Sequence, residues 1–207
     1  ATSLKALDEA EIGRPSHLAG RSMGGVVAMA MAQQLEKSGN PAGSLTLIDT
    51  FAPGSSAAET NETTLLQWFA QDTGYLTPSV QPTLLPDEAS LDAQLRHLWP
   101  QLQATGNLPA GLTFADLQHQ FAVFRANYAA MQTYQPQNYR LPVNLIAAKA
   151  SAKSVRNKWL GWKKYLRKRS VTVLPGTHFS LLQEPKTIKR IAEELIELLP
   201  TKATIRG

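Results

Sequence analysis

The sequence contains no cysteine, which excludes disulfide bonds, a thiolate nucleophile and any cysteine-built zinc site. It contains no apolar run approaching the roughly 18 residues that cross a bilayer, and its opening residues do not follow the charged, apolar, small-residue order of a secretory leader. The expectation is a soluble, cytoplasmic protein without a membrane partner or a metal. Histidine is sparse, with four in 207 residues, so imidazole chemistry has few candidates. Acidic residues are absent from Leu117 to Gln183, which removes a long stretch from any search for a functional carboxylate. What is present, 43% hydrophobic residues over 207 positions, suffices for one domain with a substantial core, expected to span residues 1–207.

One stretch stands out: Ser16-His17-Leu18-Ala19-Gly20-Arg21-Ser22-Met23-Gly24-Gly25-Val26-Val27-Ala28, which reads as a short strand entering a helix through Gly20-x-Ser22-x-Gly24. Glycines two before and two after a serine allow a sharp strand-to-helix turn that lifts the hydroxyl clear of the sheet. The same bend turns the first backbone N–H groups of the helix toward the serine, so the Met23 N–H is a candidate oxyanion donor. A five-residue match arises by chance in any glycine-rich chain, and its surroundings decide its meaning.

Those surroundings fit. Met23 to Lys37 is rich in helix formers, and Gly39 stands where a left-handed cap would end the helix. Leu45-Thr46-Leu47-Ile48 reads as a buried parallel strand ending in Asp49. A strand-helix-strand crossover predicts an α/β fold, in which functional groups gather beyond the carboxyl ends of the strands. His178 follows the β-branched run Ser170 to Leu174 and the turn Pro175-Gly176. His17 opens the serine strand, whereas His97 and His119 lie in helical segments, so His178 is the candidate base. Many hydrolases carry the acid after the strand read here at Val143 to Ala148, but no acid is available there. Asp49 is the only acid that ends a predicted strand ahead of His178, the alternative being a turn or cap aspartate before Thr50.

From Thr60 to Tyr134 the pattern turns helical. Leu65, Leu66, Trp68 and Phe69 mark a first helix, Leu91, Leu95, Leu98 and Leu102 a second, and Phe114, Leu117, Phe121, Phe124, Tyr128 and Met131 a third. Asn61-Glu62-Thr63 matches a glycosylation acceptor but reads better as a helix start. Helices are also expected over Ala1 to Ile12 and, with apolar positions Ile188, Ile191, Leu195 and Leu198, over Lys186 to Leu199. The net charge of +5 is concentrated between Lys153 and Arg169, around Trp159, Trp162 and Leu166. That spacing of three and four predicts an amphipathic helix with a basic, solvated face. No nucleic-acid-binding motif accompanies the charge, and no nucleic acid partner is expected.

Taken together, His17-Leu18-Ala19-Gly20-x-Ser22-Met23-Gly24-Gly25, Leu47-Ile48-Asp49, Gly161-Trp162 and Leu174-Pro175-Gly176-Thr177-His178-Phe179 resemble the type I thioesterase (release) domains that end nonribosomal peptide and polyketide synthases. The resemblance covers nearly the whole chain. It implies an α/β-hydrolase fold, with a parallel sheet flanked by helices and a helical lid at about 54–134. Catalytic roles fall on Ser22, Asp49 and His178, with oxyanion support from the Met23 N–H. In that family the acid follows the strand after the nucleophile helix, as Asp49 does, whereas free-standing editing thioesterases place it one strand later. Arg21 departs from the His or Trp common before the serine. The family normally has several strands and a second oxyanion donor ahead of this point, so the resemblance implies that the N-terminal strands are missing and the domain is truncated.

The implied substrate is an acyl or peptidyl chain on the phosphopantetheine of an acyl or peptidyl carrier protein, with upstream synthase modules as partners and no bound cofactor. The basic segment is then a tentative carrier-docking surface, through Lys163, Lys164 and Arg167. A general carboxylesterase or lipase-like hydrolase, and a catalytically incomplete carrier-binding fragment, remain open as alternatives.

Overall fold

The computed structural model describes residues 17–55, 60–76 and 80–198. The expected helix over Ala1 to Ile12 lies outside them. Among the described residues two compact units are present, one made of 17–55 and 131–198 and the other of 60–76 and 80–130.

Among the described residues, the first unit is built on four strands: β1 (His17–Arg21), β2 (Ser44–Ile48), β3 (Tyr139–Ala148) and β4 (Leu166–Leu174). They pair in the order β1-β2-β3-β4, all parallel. Helix α1 (Met23–Lys37) connects the first two strands and ends ahead of Gly39, whose φ of 75° is the left-handed cap conformation. Helices α5 (Lys149–Ser154) and α6 (Pro185–Glu197) follow β3 and β4. Because a parallel sheet is covered on both faces, alternate residues of one strand enter different cores. Val143, Leu145 and Ala147 join Leu45, Leu47, Met29 and Trp162 in one core, while Ile146 and Ala148 join Ile48, Leu174, Leu181 and Ile191 in the other. On α6, Ile191 is buried and Leu195 packs beside it, but Ile188 is exposed, so the expected apolar face is narrower than its sequence.

The second unit holds α2 (Glu62–Asp72), α3 (Leu91–Ala104) and, up to residue 130, α4 (Phe114–Thr133). Asn61 caps α2, its side chain accepting the Thr64 N–H at 2.8 Å, so the Asn-x-Thr triplet is a helix start. Apart from Met131, which belongs to the first unit, the three apolar stripes meet in one core, where Phe69 lies 5.5 Å from Phe121 and 5.7 Å from Phe124 between ring centroids. No helix among the described residues is long and apolar enough to cross a membrane.

One expected element is replaced. Residues 153–169 do not form an amphipathic helix: α5 stops at Ser154, a 3-10 turn covers Trp162–Lys164, and β4 begins at Leu166. The reason lies in the backbone. Arg156, Leu160 and Gly161 have φ of 49°, 47° and 87°, left-handed conformations that no right-handed helix contains. A Cβ on Gly161 would stand 2.4 Å from the Ser55 Cβ, so glycine is also required for close approach. Trp159, Trp162 and Leu166 owe their spacing to a turn that drops Trp162 into the core, its Nε1–H donating to the Thr50 carbonyl at 2.8 Å. Several cations rest on nearby rings, Arg169 5.1 Å from the Trp159 centroid and Lys164 4.8 Å from that of Tyr165. Exposed Arg167 and Lys168 lie on β4, which pairs only with β3 among the described residues, as charges do on strands that resist edge-to-edge pairing.

His17 begins β1 with Nδ1 paired to the Ser44 hydroxyl, and its Nε2 is buried without a partner among the described residues. Burial pushes its pKa below the ordinary 6.5. The unfolded chain therefore takes up this proton at higher pH than the folded one does. The stabilising contribution of neutral His17 is complete above about 6.5 and is lost as pH falls through the lowered folded value. Thermal unfolding between pH 7 and 5 should show a falling midpoint, and His17→Gln should flatten that slope.

Candidate active site

Parallel register brings the candidate residues to one rim. Arg21 pairs with Ile48, Ile48 with Ile146, and Ala148 with Leu174, so β1 to β4 end side by side. The ladder continues one step past the strands: the Ser22 N–H donates to the Ile48 carbonyl at 3.0 Å and the Asp49 N–H to the Ile146 carbonyl at 2.6 Å. Both residues then turn sharply, with φ of 53° at Ser22 and 44° at Asp49. Positive φ in a residue with a side chain costs on the order of 1–3 kcal/mol and persists only where the surroundings impose it.

Close packing imposes the turn at Ser22. A Cβ on Gly20 would lie 2.2 Å from the Gly24 carbonyl oxygen, and one on Gly25 would lie 2.0 Å from the Thr50 Oγ1. Around Gly24, apart from its chain neighbours and the backbone of α1 itself, no described atom lies within 4 Å of such a Cβ. The sequence pattern assigned the tight approach to the glycines two before and two after the serine, whereas the structure assigns it to Gly20 and Gly25. Gly24 contributes only the carbonyl against which Gly20 fits. Gly20→Ala and Gly25→Ala should each destabilise by about 1–3 kcal/mol or more, while Gly24→Ala, in the first turn of α1, should be neutral or slightly stabilising. Thermal unfolding of the three variants checks this.

Ser22 occupies the cap position of α1, yet its hydroxyl makes no capping bond. Instead Oγ lies 3.1 Å from His178 Nε2. His178 is held by a compact loop. Gly176, at φ 109°, leaves the strand, and Thr177 and Ser180 exchange two side-chain-to-backbone bonds of 2.9 and 3.2 Å. Arg21 Nη2 donates to the His178 carbonyl at 2.9 Å. On the far side of the ring, Nδ1 lies 2.7 Å from Asp49 Oδ2.

The Asp49 side chain is fully buried while that of His178 is one-fifth exposed. A buried carboxylate requires donors, and Asp49 has three: the Ala148 N–H on Oδ1 at 2.7 Å, the Ser151 hydroxyl on Oδ2 at 2.7 Å, and His178 Nδ1 on that same Oδ2. Ser22, His178 and Asp49, 156 and 129 positions apart along the chain at their two junctions, thus form one continuous hydrogen-bonded line.

A family model for the thioesterase domain matches residues 4–199. The chain belongs to the thioesterase domain family. Solved structures give this thioesterase domain its fold-level counterparts. The holo form of a four-domain nonribosomal peptide synthetase bound to AMP and glycine matches at 24% identity and a TM-score of 0.79, over 97% of this chain and 15% of that one. The NocB thioesterase domain in covalent complex with a fluorophosphonate nocardicin G analogue matches at 19% identity and 0.57, over 96% and 72%. The surfactin-cyclising thioesterase domain SrfTE matches at 16% and 0.57, over 96% and 73%. The fold is therefore that of the α/β-hydrolase thioesterases, and the chain spans only a small part of the synthetase it resembles.

Met23, whose N–H was singled out for an oxyanion, is the first residue of α1, where helix N–H groups lack intrahelical acceptors. The tentative docking residues are not brought to the rim. Lys163 and Lys164 lie in the 3-10 turn and Arg167 at the start of β4. Seven residue steps separate Arg167 from Leu174, about 23 Å at strand rise, and His178 lies beyond Leu174. In the sequence Arg21 stands out only as a departure from the family pattern, and Ser151 hardly stands out. The one available signal for Ser151 was a small polar residue just past a strand end that carries no acid of its own. Among the described residues, no group of His, Asp and Glu could hold a metal ion.

Proposed function

We propose that this thioesterase domain releases an acyl or peptidyl chain from the phosphopantetheine arm of a carrier protein through an acyl-Ser22 intermediate. The observation that carries the reading is the unbroken line from Ser22 Oγ through both nitrogens of His178 to Asp49 Oδ2. Membership of the thioesterase family supports a thioester as the bond attacked.

In this scheme His178 Nε2 removes the Ser22 proton as Oγ attacks the thioester carbonyl. Asp49 holds the imidazole with Nδ1 protonated, so that Nε2 carries the lone pair. The Met23 N–H meets the oxyanion of the tetrahedral intermediate. Collapse of that intermediate breaks the C–S bond, and the departing sulfur receives the proton held by His178. The Ser22 ester then passes to water, giving a free acid, or to a hydroxyl or amine of the chain itself, giving a ring. The similarity to a surfactin-cyclising domain and to a domain caught with a fluorophosphonate supports this two-stage scheme. A carrier domain and upstream synthase modules are its implied partners.

The test is labelling by a fluorophosphonate, followed by turnover of an N-acetylcysteamine thioester against a short aryl ester. Labelling at Ser22 with faster thioester turnover is expected. Labelling with preferred aryl-ester turnover would make the protein a general esterase, and binding of a carrier without labelling would make it a docking module.

A further inference from the structure

Ser151 stands one hydrogen bond behind the Ser22–His178–Asp49 line. It is buried and lies in the first turn of α5, which no side chain caps. Its hydroxyl donates to Asp49 Oδ2 at 2.7 Å, the same oxygen that lies 2.7 Å from His178 Nδ1. A carboxylate oxygen offers two lone-pair directions, and here two donors share the one oxygen. The Ala148 N–H on Oδ1 fixes the carboxylate at one point only. A second fixed donor on the other oxygen is what stops rotation about the terminal side-chain torsion, a soft two-fold coordinate. The same helix turn also grips the histidine loop, since the Ala150 N–H donates to the Gly176 carbonyl at 3.1 Å. Two consecutive residues of α5 thereby hold the acid and the loop that carries the base.

We propose that Ser151 is a positioning residue for the reaction, setting the plane of the Asp49 carboxylate so that one lone pair of Oδ2 points at His178 Nδ1. The proposal rests on the reading of Ser22, His178 and Asp49 as the proton-transfer line. Ser151 touches no reacting atom and acts through Asp49 alone.

A double-mutant cycle in the full-length protein tests it, reading the rate of fluorophosphonate labelling at Ser22. Ser151→Ala should slow labelling about tenfold or more in the otherwise wild-type protein, and Ser151→Thr, which keeps the hydroxyl, should recover most of the rate. In an Asp49→Asn background Ser151→Ala should change the rate by about twofold or less, because independent effects add and effects through one group do not. Equal slowing by Ser151→Ala in both backgrounds would overturn the proposal and make the residue merely structural, as would no slowing in either. Should Ser151→Ala fail to fold, Ser151→Cys carries the same cycle, since its thiol fills the site but donates only weakly. Wild-type protein that does not label at all would instead overturn the proton-transfer reading itself, an outcome that no comparison among Ser151 variants can mimic.

Discussion

Ser22→Ala should lower thioester turnover by about 10⁶-fold, the loss seen when the nucleophile of a Ser-His-Asp unit is removed. The variant leaves the backbone turn in place, because alanine tolerates φ of 53° no worse than serine does. Oγ makes no capping bond to α1, and its partner at the rim is His178 Nε2, so its removal should leave the thermal midpoint nearly unchanged. In the proposed mechanism the two residues act as a unit, so adding His178→Ala to Ser22→Ala should cost almost nothing further. A third variant separates chemistry from strain. Ser22→Gly should be equally inactive but relieves the positive φ, and should raise the unfolding midpoint by the equivalent of about 1–3 kcal/mol. Ser22→Ala turnover within tenfold of wild type, by carrier-bound or N-acetylcysteamine thioester assay, would remove Ser22 from the mechanism.

Why these positions were readable in the sequence, and others not, follows from how locally each is determined. Ser22 and Asp49 sit at the first residue after a strand, and a parallel sheet places such residues together whatever the loops do. Short apolar runs therefore sufficed to locate them. His178 was legible because it follows a β-branched strand through Pro175-Gly176 and because so few histidines competed. The helices of residues 60–134 were legible because three or more apolar positions recur at helical spacing in each. The segment from Lys153 to Arg169 was misread for the opposite reason. Trp159, Trp162 and Leu166 match a helical period over two steps only, and the left-handed residues Arg156 and Leu160 carry no glycine to announce them. The tight packing of Gly25 was missed because what it meets, the Thr50 side chain, is distant in sequence. Ser151 was only faintly marked on the same ground, since its partner lies 102 positions away.

Asp49→Asn should lower turnover by about 10⁴-fold while leaving the fold intact. Asparagine is the least disturbing replacement, because among residues with side chains it best tolerates the φ of 44° at this position. Every partner of the wild-type carboxylate is a donor, and an amide supplies one acceptor oxygen and one NH₂ group. If the NH₂ group took the Oδ1 place it would oppose the Ala148 backbone N–H, which cannot rotate. The NH₂ group therefore takes the Oδ2 place, where the Ser151 hydroxyl can turn to accept from it. His178 Nδ1 must then accept as well, and the ring proton moves to Nε2. An Nε2–H facing Ser22 Oγ can donate to the hydroxyl but cannot remove its proton, so the nucleophile stays neutral. The defect is thus one of tautomer and not of position. Nitrogen NMR of the imidazole should show Nε2 protonated in Asp49→Asn and Nδ1 protonated in the wild type. A variant that kept the wild-type tautomer, or kept turnover within tenfold, would show that some other group orients His178.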